Sequence, residues 1–308
     1  MTTTFDFQDG NGPVPAHKHP NGGGWVADTA RVSETAFVGP DARVYGKTRI
    51  SDTARIGDRA QVFGDAWIED RARVFDDGQV FGNTQVCGNA IVFGYAQVFG
   101  NAHVYGDAHV FGDAQVFDNA RVYDKAKVFG YAQIHGHAQS FGDAWVFGNA
   151  RVSDKAQVFG DAWVLGKARV YDKAEVLGYA QIFDYAQICG HARVCGNARV
   201  FGNAKACGKT YIRGKTQLFG NASIEAGSLI AGSHDRSPLV WVFAHWTAVL
   251  SDRENIMIGC QIHSLEHWRE HLHEIAEAND ATEFIGEASA FLDACEERLK
   301  CQETRGDS

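Results

Sequence analysis

Aliphatic residues recur at every sixth position of this chain, from Val26 through Val32, Val38 and Val44 without a break to Ile224 and Ile230. Of the 35 positions in that series, only Ser140 and Ala206 are neither Val, Ile nor Leu. Two residues before each stands a small residue, usually Ala, as at Ala42, Ala60, Ala96 and Ala102; two residues after stands Gly or Asp through nearly all of the array. Positions two apart on a strand share a face, so Ala and Val point inward and the residue between them outward. Gly and Asp tolerate the left-handed backbone of a tight corner. A hexad is too short for a helix or a hairpin with this inward period. The pattern predicts a mainly β fold: a single-stranded parallel solenoid in which each hexad is one side of a coil and equivalent hexads stack about 4.8 Å apart. At three hexads per coil the array makes about eleven to twelve coils, roughly 55 Å long.

The unit A-x-V-x-G-x resembles the signature of hexapeptide-repeat, left-handed parallel β-helix proteins, an aliphatic residue at i and a small one at i+4. The resemblance covers about two thirds of the chain. It implies the left-handed coil, the triangular section and a parallel homotrimer about an axis along the prism. The flanks "VPAHKHPNGGGWVADTARV" and "IMIGCQIHSLEHW" look like those of phage and prophage hexapeptide-repeat proteins that carry a transferase label. That label implies a CoA-dependent acyltransferase, with a histidine as general base and acetyl-CoA or another acyl-CoA in a groove between neighbouring prisms. Such enzymes interrupt the hexads with a loop that builds the acceptor pocket, whereas nothing interrupts them here from Val26 to Ile230. The leading expectation is a non-enzymatic rigid scaffold or binding protein, phage- or prophage-related and oligomeric. It needs no cofactor and presents repetitive faces to a protein or polymer partner. The acyltransferase is the first alternative and a carbohydrate-binding module the second.

A stacked array ends in unpaired strand edges, so capping elements are expected at both ends. Residues 1–25 read as the N-terminal cap, with Trp25 as an apolar lid; residues 26–233 as the β-helix; residues 234–308 as a small C-terminal α+β cap. In the last, "LVWVFAHWTAVL" (239–250) and "NIMIGCQI" (255–262) read as strands. A first helix opens at Ser264, a good N-cap, with Leu265, Trp268, Leu272, Ile275 and Ala276 on one stripe. A second opens near Thr282, with Phe284, Ala288, Phe291, Leu292, Cys295 and Leu299 on another.

Charge divides by region. From His234 to Ser308 six Lys/Arg face fifteen Asp/Glu, a difference equal to the net charge of −9 of the whole chain, so residues 1–233 are balanced. A balanced surface argues against nucleic acid and membrane as partners. No apolar run has the length of a membrane span, and "MTTTFDFQDG" lacks the basic and apolar regions of a signal peptide, so a cytoplasmic location is expected. Seven cysteines without a paired framework read as thiols of a reducing compartment. Cys189 and Cys207 fall on adjacent coils and can form a disulfide under oxidation.

Steps of eighteen sort the outward residues into columns. One corner reads Phe75, Phe93, Phe111, Phe129, Phe147, Leu165, Phe183, Phe201, Phe219. So long an apolar stripe is expected as an oligomer or partner surface, with successive rings also burying one another. A second corner carries Tyr45, Phe63, Phe81, Phe99 and Phe117 before His135. One flat face carries Gln61, Gln79, Gln97, Gln115 and Gln133, an amide ladder. Trp145 and Trp163 share another face, with His109 and Lys127 below them, and suggest a sugar platform.

Candidate chemistry is sparse. His135 stands where Tyr or Phe usually stands and His137 where Asn, Asp, Lys or Tyr does; they are the alternative candidates for a general base, the leading expectation being no catalytic residue. Ser140 takes an inward aliphatic place, where its hydroxyl must bond a backbone carbonyl or a neighbour. Cys260, His263, His267 and His271 have spacings that suit a zinc site. However, His267 and His271 fall opposite the apolar stripe, toward solvent, and the leading expectation is no metal.

Overall fold

The computed structural model describes residues 3–219, 222–224, 229–232, 239–243, 246–250, 256–258, 261–279, 281–282 and 285–303. The chain divides into two compact units, residues 1–176 and 177–308.

In the first unit each hexad forms a two-residue strand made of the outward residue and its inward aliphatic, as in Gln97–Val98, His103–Val104 and His109–Val110. Every strand pairs in parallel and in register with the strand eighteen residues on: Gln97 with Gln115, His103 with Arg121, His109 with Lys127. Three hexads therefore close one coil, and three parallel sheets form its sides. Strands this short hold because about half of the amides in each hexad donate to the next coil. The N–H groups of Gln97, Phe99 and Asn101, for example, reach the carbonyls of Ala114, Val116 and Asp118 at 2.9, 2.9 and 2.6 Å. Inside, Ala96, Val98, Ala102, Val104, Ala108 and Val110 are all 0% exposed. One Ala and one Val from each side fill the axis, so it has no room for a ligand.

The corners turn through one left-handed residue, Gly or Asp, such as Gly64 at φ 75° and Asp118 at φ 58°. Where the residue is Asp, its carboxylate accepts the backbone N–H eighteen residues on: Asp70 from Gly88 at 2.9 Å, Asp118 from Gly136 at 3.1 Å, Asp124 from Gly142 at 3.2 Å. Asp thus replaces Gly at a corner while satisfying an amide of the coil above it.

Polar residues that point inward follow the same local logic. Thr48 and Thr84 occupy small-residue slots, and each hydroxyl donates at 2.6 Å to the carbonyl three residues back, on Tyr45 and Phe81. Ser140 does not find the partner expected for it: it is 0% exposed and its Oγ has no hydrogen bond. It sits two residues further along, within the strand, where coil-to-coil bonds already use the backbone: Tyr123 N–H to Ser140 O and Phe141 N–H to Val158 O, both 3.0 Å.

The N-terminal residues add antiparallel strands to one sheet. Thr4–Phe5 pairs with Val14–Lys18, which pairs with Trp25–Ala27, which in turn pairs in parallel with Arg43–Val44. The intervening loop covers a second edge, with Gly24 N–H on Val38 O at 2.9 Å and Val38 N–H on Asn21 O at 3.0 Å. A Cβ on Gly22 or Gly24 would collide with the Val38 and Gly39 carbonyls, which explains the "NGGG" run. Trp25 is not the lid expected of it. It is the outward residue of its strand and stacks on Phe5 at 4.4 Å. The buried ring is Phe7, 2% exposed, which stacks on Tyr45 at 4.9 Å and packs with Ala27.

In the second unit the hexads continue with the same pairing, Gln187 with Lys205 and Arg199 with Gln217. Cys189 and Cys207 are joined in a disulfide with their Cα atoms 4.4 Å apart, so this pair departs from the all-thiol expectation. Eighteen residues of separation place them directly above one another, within bonding reach. Leu239–Phe243, Trp246–Leu250, Ile256–Ile258 and Gln261–His263 form a four-stranded antiparallel sheet. Two helices follow, α1 (Leu265–Ala278) and α2 (Ile285–Glu303). Ser264 caps α1, its Oγ accepting from His267 N–H at 3.2 Å. Trp268 and Leu272 of α1 meet Ala288, Phe291, Leu292 and Cys295 of α2 and Ile256 and Ile258 of the sheet in one core. Trp268 Nε1 donates to Ile256 O at 2.7 Å, and Arg269 ties α1 to Asp293 and Glu296 of α2, also at 2.7 Å. Phe284 and Cys260 lie outside the described residues, as does the side chain of Leu299. No helix among the described residues is long and apolar enough to cross a membrane.

Candidate interaction surface

Because residues eighteen apart stand one strand spacing apart, outward rings are forced into face-to-face stacks. In the first unit Phe75, Phe93, Phe111, Phe129 and Phe147 follow one another with centroids 5.1, 4.8, 4.8 and 4.8 Å apart, and Leu165 continues the column. In the second, Phe183, Phe201 and Phe219 stack at 4.8 and 5.4 Å. The next corner of the first unit carries Phe7, Tyr45, Phe63, Phe81, Phe99, Phe117 and His135 as one run of rings at 4.7 to 4.9 Å. The third corner, mixed in sequence, stacks Tyr105, Tyr123, Phe141 and Phe159 at 4.8 Å. Stacking covers the ring faces and leaves most of these rings half-buried, with Phe7 and Tyr45 buried and Phe219 exposed at its end of the column. Such pairs add about 0.5–1.5 kcal/mol each beyond area burial. What a partner would meet is a ridge of ring edges.

On the glutamine face, Gln115 Nε2 donates to Gln97 Oε1 and Gln133 Nε2 to Gln115 Oε1, both at 3.1 Å. Gln79 stands in register between Gln61 and Gln97, and Gln61 accepts from the Tyr45 hydroxyl at 3.4 Å. Trp145 and Trp163 are stacked on each other at 5.4 Å and 13°, with the Lys127 ammonium 4.7 Å from the Trp145 ring. A sugar platform needs a ring face lying open along the surface. These indoles stand on edge, and each covers a face of the other. His109 lies below them, its pKa held down by burial and then by the positive charges of Lys127 and Arg73.

The structure separates the two histidines of the "AQIHGHAQSFG" stretch. His135 is the last ring of its column, 4.9 Å from Phe117, with Nδ1 4.0 Å from the Asp118 carboxylate. His137 is exposed and lines a shallow groove of about 310 Å³ with Asn101, His103, Asn119, Arg121 and Gln139. Nothing in the hexad pattern marks His103 and Arg121 as a pair, although the step of eighteen stacks them on one face. Burial, and then the Arg121 charge, hold His103 below its ordinary pKa, so the groove offers a neutral imidazole beside a guanidinium and several amides. That set can hydrogen-bond a polar or anionic group. Among the described residues neither His103 nor His137 bonds a carboxylate that would orient it for proton transfer.

In the second unit His263, His267 and His271 form a stack of their own, with centroids 4.1 and 4.4 Å apart and the edge of His263 against Trp268 at 5.1 Å. All three are half-buried, which corrects the expectation that His267 and His271 face solvent: they flank the apolar stripe and cover one another. Their donor atoms do not converge, and among the described residues no group of three His, Cys, Asp or Glu is arranged to hold a metal.

The model of the family described as YdcK Beta solenoid repeat matches residues 85–98, 114–136 and 192–208. The chain is similar to that repeat family over those hexads. No curated protein matches the chain. The middle stretch holds Gln115, Phe117, Asp118, Gln133 and His135, so the similarity takes in ladder, ring and corner positions together.

Proposed function

We propose that this β-solenoid is a non-enzymatic, rigid scaffold that works without a cofactor, in the cytoplasm and in a phage or prophage setting, as an oligomer. Three chains associate in parallel along the ridge that contains Phe75 to Phe147, and the remaining faces engage a protein or polymer partner. The observation that carries this reading is a run of hexads without an insertion, whose coils in each unit fill the axis with their own side chains. Catalysis needs a concave, water-poor site, and a prism without an inserted loop builds none by itself. The flanking segments, which resemble those of phage proteins, support the setting.

The acyltransferase reading would require CoA to bind between chains, near the groove that holds His103 and His137. Thermal melting of the purified oligomer with millimolar acetyl-CoA tests it. The scaffold reading expects an unchanged midpoint; a saturable rise that His137→Ala removes would overturn it. The ring-on-edge geometry of Trp145 and Trp163 weighs against carbohydrate, and a glycan array is expected to show no binding that Trp145→Ala removes.

A further inference from the structure

We propose that the groove of about 310 Å³ lined by Asn101, His103, Asn119, Arg121, His137 and Gln139 seats an acidic side chain, Asp or Glu, of a protein partner, an assignment that rests on the scaffold reading and gives one of its faces a partner chemistry. Two columns build the groove. His103, Arg121 and Gln139 are the outward residues of paired strands, each one strand spacing from the next along a single face. Asn101, Asn119 and His137 follow the same step of eighteen along the corner beside it. No Asp or Glu belongs to the lining, and Arg121 carries its one formal charge.

Hydrogen bonds already in place leave the amides as donors. Asn101 Oδ1 accepts from Asn83 Nδ2 at 3.2 Å, and Gln139 Oε1 accepts from the Tyr123 hydroxyl at 3.2 Å, so each keeps an NH₂ group to give. His103, held below its ordinary pKa by burial and then by Arg121, adds one N–H of a neutral ring. An acceptor-only ligand meets these donors without either of those two bonds breaking. Charge decides which anion fits. A carboxylate sets one negative charge against the one positive charge of Arg121, and its two oxygens match the guanidinium fork. A phosphate monoester brings nearly two charges and leaves the second uncompensated. Shape decides the source. A free small molecule is held where roughly 70–90% of its surface is buried, which a shallow groove does not do. A side chain carried by a protein draws further contact from the surface around it. Here Gln85 and Gln157 continue the face in register, and the stacked rings of Tyr105, Tyr123 and Phe141 border it.

NMR titration of the full chain with a hexaglutamate peptide, and with hexaglutamine and inorganic phosphate as controls, tests the assignment. Saturable shifts of the His103 and His137 ring signals are expected with hexaglutamate and none with hexaglutamine. Affinity should fall about tenfold in Arg121→Gln and stay unchanged in Arg151→Gln, which removes a cation from the glutamine face. The ring shifts of the wild-type chain give the result independently of how a variant folds. No shift, equal shifts with hexaglutamine, tighter binding of phosphate than of the peptide, or binding that Arg121→Gln retains in full would overturn the proposal. The readout does not depend on chain mass. A single chain that binds hexaglutamate would keep the groove and contradict the oligomer, and a trimer that ignores the peptide would do the reverse.

Discussion

The carboxylate of Asp118 accepts the backbone N–H of Gly136, eighteen residues later, at 3.1 Å, while Asp118 itself sits at φ 58°. One side chain thus solves two problems of a corner, the left-handed turn and an amide left over by the coil above. Ala solves neither, and its left-handed conformation costs about 1–2 kcal/mol. Asp118→Ala is therefore expected to lower the melting temperature more than Asp118→Gly does, although Gly is the smaller residue. Thermal melts of the two variants decide it; an Ala variant as stable as the Gly variant would show that the corner is not strained.

Ser140 is the reverse case, a polar group where the fold has no use for one. Its hydroxyl is fully buried without a partner, between Val122 and Val158 in the same slot of adjacent coils. An unsatisfied buried hydroxyl costs about 1–3 kcal/mol, so Ser140→Val should stabilise the chain by an amount in that range. Chemical denaturation of the variant gives the sign directly. A loss of stability would mean that the axis at this coil cannot accept the one additional methyl group that Val brings.

Phe99 lies between Phe81 and Phe117, 4.9 Å from each. Phe99→Ala removes two stacked pairs and half-buried area and should cost about 2 kcal/mol. Tyr95 lies at a corner with 63% of its surface exposed, and Tyr95→Ala should fall within about 0.5 kcal/mol of wild type. Hydrogen exchange resolves the difference locally, with faster opening of the coils around residue 99 in the first variant alone. Equal effects would remove ring stacking from the account of how coils hold together.

Protonation should weaken the face around Trp145. His109 has a folded-state pKa below its ordinary value, through burial and then Lys127 and Arg73, so the unfolded chain takes up the proton more readily. Stability from this group is fully present above the ordinary histidine value of about 6.5 and is lost as the pH falls through the lower folded value. Melting temperatures measured from neutral pH down toward pH 5 should decline, and His109→Gln should flatten part of that slope. A slope that is unchanged, or steeper, in the variant would reverse the assigned sign.

How much could be read from the sequence depended on whether neighbours along the chain are also neighbours in space. Each hexad buries its own Ala and Val, and its coil partner lies eighteen residues away at constant register. Counting was thus enough to place Val98 inward and Phe99 above Phe81. Counting was not enough where a residue's fate depends on backbone already committed elsewhere. The hexad pattern puts Thr84 in a small-residue slot and Ser140 in an aliphatic one, but it does not tell which slot leaves a carbonyl within reach of a hydroxyl. Its place before the first hexad suggests a lid at Trp25, yet its strand continues a sheet and turns the indole outward onto Phe5. The stack of His263, His267 and His271 joins a strand to a helix across a cap, and no single period spans both kinds of element.

Sedimentation equilibrium tests the central claim most directly. A scaffold that associates through the ridge of ring edges should have three times the chain mass of 33.7 kDa, and Phe111→Glu, which places a charge in the middle of that ridge, should return it to a single chain. A wild-type protein that stays at 33.7 kDa over the whole concentration range would contradict the account and leave the ridge as a device of coil stacking alone.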